Sequence, residues 1–247
     1  MHAFSNADFL SLWERGRPLQ PLDRGLLAIH TAFPETRGEN VADWPLGRRN
    51  RALVELRCSV FGCALQAWTT CPQCGEKIEL NMDAGAMIRQ SARPRQPTPE
   101  LVETITANGE KFRLPTSRDL ARLASEERQP QDFPAAIRLL QACRIEKEKA
   151  ADPDQGWSDE QVEEIGEKMA EADPLAEIQL SFLCPACSTT SNGALDLPTF
   201  LWAEIEAQVR RLLAEIHTLA SAYGWTEQEI LSLSDARRRL YLEMVRA

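Results

Sequence analysis

Two Cys-x-x-Cys pairs, Cys71-Pro72-Gln73-Cys74 and Cys184-Pro185-Ala186-Cys187, stand far apart in this chain and govern what it can fold into. Four thiolates presented as two rigid pairs make a tetrahedral zinc site. If both pairs hold one ion, two distant chain segments meet at the metal. Everything between them is then an insertion tethered at both ends. Four protein sulfurs also fill the tetrahedron and leave no position for water or substrate, which points away from chemistry at the metal. Structural sites of this kind bind with apparent free energies of roughly 10–16 kcal/mol.

The two pairs sit in matching surroundings. Residues 65–70 alternate apolar and polar before the first pair, and residues 77–82 alternate after it. Residues 178–183 and 193–197 flank the second pair in the same way. Each segment reads as a β-hairpin with the cysteines at its tip, and two such hairpins facing each other are a zinc ribbon. Gly75 follows the first pair and allows a positive φ, so that amides can turn toward sulfur. Ser188 takes that place in the second pair. Iron in place of zinc, or two pairs acting separately, are the remaining metal readings. A redox pair would need a helix starting at its cysteines, and neither pair is followed by a helical pattern.

The chain has 247 residues, 43% of them apolar, enough for one large domain or two small ones. It contains no run of about 18 or more apolar residues that would span a bilayer. The first residues show no basic and then apolar leader, so residence in a cytoplasm is the expectation. Without export signals, seven cysteines argue against a disulfide framework. Cys58, Cys63 and Cys143 are expected to be small buried hydrophobes, with a reserve ligand or a redox thiol as the rival. The net charge is −9, and residues 144–177 carry twelve acids against four bases. One acidic segment therefore produces most of the imbalance, which does not fit a globally basic nucleic-acid binder.

The expected fold class is α+β and mainly α-helical, built round a split four-cysteine zinc ribbon. Residues 1–62 form an N-terminal helical region, and 63–90 with 178–197 form the ribbon. Residues 91–177 are an insertion, and 198–247 a C-terminal helical region. Within the insertion, residues 91–99 read as a proline-rich linker and 101–114 as a small hairpin turning at Asn108-Gly109. Helices follow near 117, over 134–145 and over 160–171, the last opened by a capping box from Ser158 to Gln161. Its acidic face is expected to be solvated. In the last region, apolar residues recur at helical spacing from Leu201 to Leu219. Tyr223-Gly224-Trp225 then breaks the helix, and Thr226 to Glu229 is a second capping box.

Other chemistry is weakly signalled. His2, His30 and His217 stand in no recognisable motif, and there is no phosphate-binding glycine loop or nucleophile elbow. The arginines at 48, 49 and 51, and at 237–239, read as solvated helix faces, with an interface as the functional rival. Tyr223 and Trp225 read as a helix-corner staple that can also anchor a protein interface.

The stretch Ala222-Tyr223-Gly224-Trp225-Thr226-Glu227-Gln228-Glu229-Ile230-Leu231, with Arg237-Arg238 and Tyr241-Leu242, carries a resemblance. So do Leu46-Gly47-Arg48-Arg49-Asn50 and Leu114-Pro115-Thr116-Ser117-Arg118-Asp119-Leu120. With the split cysteine pairs, they resemble the baseplate, or hub-assembly, protein family of contractile-tailed phages and phage-like injection systems. The resemblance implies a non-enzymatic assembly protein without a small-molecule substrate. Its partners would be other baseplate or hub subunits, and it would work in the cytoplasm or within an assembled particle. It points to Tyr223, Trp225, Arg237, Arg238 and Tyr241 as the partner surface. Cys71, Cys74, Cys184 and Cys187 hold one structural Zn²⁺ in this reading. A zinc-ribbon nucleic-acid module is the alternative, disfavoured by Glu76, Glu79, Asp83 and Asp196 on the hairpins. A zinc hydrolase ranks last, because it would need one cysteine pair to stand idle.

Overall fold

The computed structural model describes residues 4–91, 104–126, 133–146 and 157–246. The expected proline-rich linker from residue 92, the first residues of the 101–114 hairpin and the loop at 147–156 lie outside them. The chain opens with helices α1 (Asn6–Gly16), α2 (Pro21–Ala32) and α3 (Leu46–Phe61). A first hairpin, β1 (Ala64–Thr70) and β2 (Lys77–Asp83), leads into α4 (Ala84–Ser91). The insertion supplies β3 (Thr104–Ala107), β4 (Glu110–Arg113), α5 (Ser117–Glu126), α6 (Ala135–Cys143), β5 (Arg144–Glu146) and α7 (Asp159–Ala172). A second hairpin, β6 (Gln179–Leu183) and β7 (Thr190–Ala194), precedes α8 (Leu197–Tyr223), α9 (Glu227–Ser232) and α10 (Asp235–Arg246). The architecture is mixed α+β with small antiparallel sheets, as the sequence predicts.

The chain divides into two compact units, residues 1–34 with 198–247, and residues 35–197. The N-terminal helices are thus shared between them: α1 and α2 belong with the C-terminal helices, and α3 with the ribbon.

In the first unit, α8 buries Leu201, Ile205, Val209, Leu212, Ile216 and Leu219, a three–four repeat that keeps one stripe inward. Gly16 of α1 lies against Trp202 so closely that a Cβ there would fall 2.3 Å from the indole. Arg24 of α2 covers another part of the same ring, its guanidinium 4.8 Å from the centroid. Gly224 ends α8 at φ 69°, and its N–H donates to Ala220 O. The Thr226 capping box then starts α9, with Glu229 N–H donating to Thr226 Oγ1 and Thr226 N–H to Glu229 Oε2. Ser234 Oγ accepts from Arg237 N–H at the start of α10.

In the second unit, β3 and β4 turn through Asn108 and Gly109, both at positive φ, 52° and 74°. Two such residues are what a tight hairpin with right-handed twist requires. The three-residue strand β5 completes a sheet of order β3-β4-β5. No periodicity can show over so short a strand, and residues 144–145 read from sequence as the end of a helix. The insertion has its own core of Ala107, Phe112, Leu140, Cys143, Ile165 and Met169. Helix α7 contributes Ile165 and Met169 one turn apart, while Glu160, Glu163, Glu167 and Glu171 stay exposed. Its Ser158–Gln161 capping box forms as expected.

The arginine-rich face of α3 differs from expectation. Arg49 and Arg57 are buried, each about 5% exposed. Arg49 donates to Asn50 Oδ1 and Ser117 Oγ, and Asn50 donates in turn to the Leu175 carbonyl. Arg57 donates to the carbonyls of Gly62 and Ala64, joining the end of α3 to β1. Arg48 stacks 3.8 Å over Trp44 and pairs with Glu39. These acceptors, from neighbouring positions and from the remote Ser117, offset the cost of burying Arg49 and Arg57. At the other end of α3, Gly47 N–H donates to Asp173 Oδ2, and a Cβ at Gly47 would fall 1.6 Å from that carboxyl. Burial pushes the Asp173 carboxyl above its ordinary range, against the pull of that N–H and of Arg49.

Candidate metal centre

Each cysteine pair sits at the tip of a hairpin, and the two tips follow one plan. In the first, Cys71 N–H donates to Glu76 O and Gly75 N–H to Cys71 O. In the second, Cys184 N–H donates to Thr189 O and Ser188 N–H to Cys184 O. The strands close on matching registers, Thr70 opposite Lys77 and Leu183 opposite Thr190. The return strand of the second hairpin is therefore Thr190–Ala194 and starts directly after the turn, earlier than the sequence suggests. Its Thr-Ser-Asn-Gly composition reads as loop, but the turn geometry fixes the pairing.

The four sulfurs converge across the two hairpins. Cys71 Sγ lies 3.6 Å from Cys187 Sγ, and Cys74 Sγ lies 3.6 Å from Cys184 Sγ. All four ligand atoms lie within 4.8 Å of one another. A tetrahedral ion with Zn–S bonds near 2.3 Å needs sulfurs about 3.8 Å apart, so this donor set fits one such ion. Cys71 and Cys184 are buried, Cys74 is exposed and Cys187 is half-buried. Ile78, Leu80 and Phe182 pack beside them and shield the inner sulfurs.

Electrostatics favours a bound dication. Thiolates this close repel, so neighbours divide the protons unequally. The hydroxyl and backbone N–H of Thr189 pull the Cys187 thiol down to about 6. Thr189 Oγ1 lies 3.4 Å from that sulfur and is the donor when the sulfur is ionised. The Glu76 amide favours the Cys74 thiolate, but the sulfur of Cys187, burial, and the sulfurs of Cys184 and Cys71 outweigh it and push Cys74 up to about 12. A divalent ion at the centre removes the conflict by stabilising all four thiolates together.

Among the described residues, no other group of three or more His, Cys, Asp or Glu side chains gathers in this way. His30 and His217 are exposed on their helices. Cys143 is buried in the insertion core, as expected, and burial pushes its thiol up to about 11. Cys58 and Cys63 are not buried hydrophobes: they form a disulfide, the first half-buried and the second exposed. Gly62, at φ 83°, stops α3 and turns the chain so that the two Cα atoms come within 4.4 Å. A five-residue spacing across a helix end carries the signal for this pair, and sequence reasoning passed over it.

The C-terminal residues singled out from sequence separate into two groups. Tyr223 stacks on Trp225 at 4.7 Å between centroids, and Tyr241 meets Trp225 edge-on at 4.8 Å. Arg237 is exposed on the same helix as Tyr241, as are the apolar side chains of Leu240 and Met244. Arg238, expected at the partner surface, is instead buried, its guanidinium held by Glu215 and Asp235. Its place on the inner side of α10, one residue from Arg237, explains the difference.

Comparison with protein-family models, with curated proteins and with solved structures gives no match to this chain. No described helix is long and apolar enough to cross a membrane. The fold and site define a mixed α+β protein with a four-cysteine centre able to hold one metal ion.

Proposed function

We propose that this chain is a zinc-stabilised, non-enzymatic assembly protein of a contractile tail or injection-system baseplate, acting by binding other baseplate or hub subunits. The observation that carries the metal part is the convergence of two remote cysteine pairs onto one tetrahedral donor set. Soft thiolates in that geometry favour zinc, and four of them leave no position for a reacting ligand. The baseplate part rests on the resemblance of the Tyr223–Leu242 stretch and of the segments around Gly47 and Thr116. The exposed apolar residues Leu240, Met244 and Val245 of α10 are of the kind that anchors a protein partner. Tagging this chain within its own operon and recovering intact complexes tests the reading. Co-purification of sheath, tube or baseplate subunits is expected. Recovery of the chain alone, or bound chiefly to nucleic acid with a steep salt dependence, overturns it.

A further inference from the structure

Among the described residues, each hairpin of the ribbon is a sheet of only two strands, so the outer edges of β2 and β6 are unpaired there. The edge of β2 and the edge of β6 line one open groove of about 470 Å³. They do not pair: over most of their length their Cα atoms stay more than 8 Å apart. Hydrogen-bonded strands lie about 4.8 Å apart, so two strands that share one neighbour lie about 9.6 Å apart. β2 runs away from the cysteines and β6 runs toward them, so the two edges are antiparallel. Leu80 and Met82 on one side and Leu180 and Phe182 on the other are half-buried and supply apolar lining. The charged side chain in the lining of this groove is Glu79, and Glu177 lines the hollow that adjoins it at Met82, Gln179 and Leu180; both are carboxylates.

We infer that this groove receives an extended segment of a partner protein, apolar at alternate positions and carrying lysine or arginine. Two open edges offer main-chain hydrogen bonds to both sides of one incoming strand, completing a sheet of order β1-β2-partner-β6-β7. The apolar lining takes every second side chain. The two carboxylates, with no cation beside them in the lining, select a basic segment. The inference rests on the zinc part of the proposed function, since the sulfur cluster is what sets the two hairpins side by side. It does not depend on the baseplate part.

Selection of random linear peptides of about a dozen residues on the full-length, zinc-loaded protein tests the inference. Zinc content is measured first. Enriched peptides should alternate apolar residues and carry basic ones. A synthetic copy of the best should protect residues 77–83 and 179–183 from hydrogen exchange. Methylating alternate backbone nitrogens of that peptide, or reversing charge with Glu79→Lys and Glu177→Lys, should each weaken binding about tenfold or more. Stoichiometric zinc with no such peptide, with protection elsewhere, or with equal binding of the methylated peptide, overturns the groove and leaves the metal centre standing. Concentration-dependent protection of the same residues without peptide assigns the groove to a second copy, and overturns the partner segment. A folded protein that takes up no zinc overturns the metal centre together with the groove.

Discussion

Gly75 and Ser188 hold equivalent positions, each directly after the second cysteine of its pair, and both have positive φ, 78° and 55°. Glycine adopts that conformation freely, whereas serine pays a Cβ penalty of roughly 1 kcal/mol. Nothing lies within 4 Å of a Cβ built on Gly75, so the cost of adding one is conformational alone. Ser188→Gly should therefore stabilise the zinc-loaded protein by about 0.5–1 kcal/mol, and Gly75→Ala should destabilise it by a similar amount. Thermal unfolding at fixed free zinc checks both signs. Opposite signs, or no change in either, would show that the two turns are not equivalent.

Thr189 offers a second way to probe the centre, through a residue that is not itself a ligand. Its hydroxyl faces Cys187 Sγ at 3.4 Å. Removing an outer-shell partner of this kind typically weakens metal binding about 10–100-fold. Thr189→Val keeps the β-branched shape of the side chain and should show that loss in competition with a chromophoric chelator. Cys184→Ser removes a buried ligand and should abolish stoichiometric zinc. A wild-type preparation that stays fully folded after chelation would refute the structural role of the ion.

The cysteine pairs were legible because each is a local signal, and pairing the two hairpins needs only their repeated pattern. The caps at Ser158 and Thr226 were legible for the same reason. Arg49, Arg57 and Arg238 were not. A guanidinium goes inside only when acceptors meet it there: Ser117 and Glu215 come from remote parts of the chain, and the Gly62 carbonyl reaches Arg57 through the turn that ends α3. Strand β5 is too short to show a period, and the division into two units depends on which helices meet in space.

Asp119 connects sequence motif to stability. Its carboxylate accepts from both Arg113 Nη1 and Nη2 and from the N–H and hydroxyl of Thr116. Burial pushes its carboxyl up, but Arg113 and Thr116 together outweigh it and hold the pKa below the ordinary value. The sign follows from linkage. The contribution is fully present above the unfolded carboxyl pKa of about 3.9 and is lost as pH falls through the lower folded value. Asp119→Asn should cost about 1–3 kcal/mol at neutral pH by removing the carboxylate partner of Arg113, which keeps its hydrogen bond to the Ala142 carbonyl. It should also flatten the loss of stability between about pH 4 and pH 2, measured by denaturant unfolding.

The Cys58–Cys63 disulfide makes a prediction about thiol counts. Unfolded without reductant and with a chelator present, the protein should expose five alkylatable cysteines. Reduction should raise that number to the full seven of the sequence. Closing so short a loop restrains the unfolded chain by about 2 kcal/mol, so Cys63→Ser should lower stability by up to that amount. Zinc binding should survive, because neither residue belongs to the sulfur cluster. Seven labelled cysteines before reduction would show that the bond does not form.

Arg237 and Arg238 are neighbours in sequence with opposite fates, and that contrast separates stability from recognition. Arg238 Nε donates to Glu215 Oε2 at 2.7 Å and its Nη2 to Asp235 Oδ1 at 2.9 Å, and the residue is 5% exposed. Arg238→Ala leaves the half-buried Glu215 carboxylate without this partner and should cost about 2 kcal/mol, read as a drop in the unfolding midpoint. Arg237 is exposed, and Arg237→Ala should change stability by no more than about 0.5 kcal/mol. If α10 presents its exposed side to a partner subunit, Arg237→Glu should nonetheless reduce co-purification of that subunit from the tagged operon, because a reversed rim charge slows association. Reduced recovery with an unchanged unfolding midpoint assigns Arg237 to the interface. Unchanged recovery with Arg237→Glu removes that residue from the partner surface.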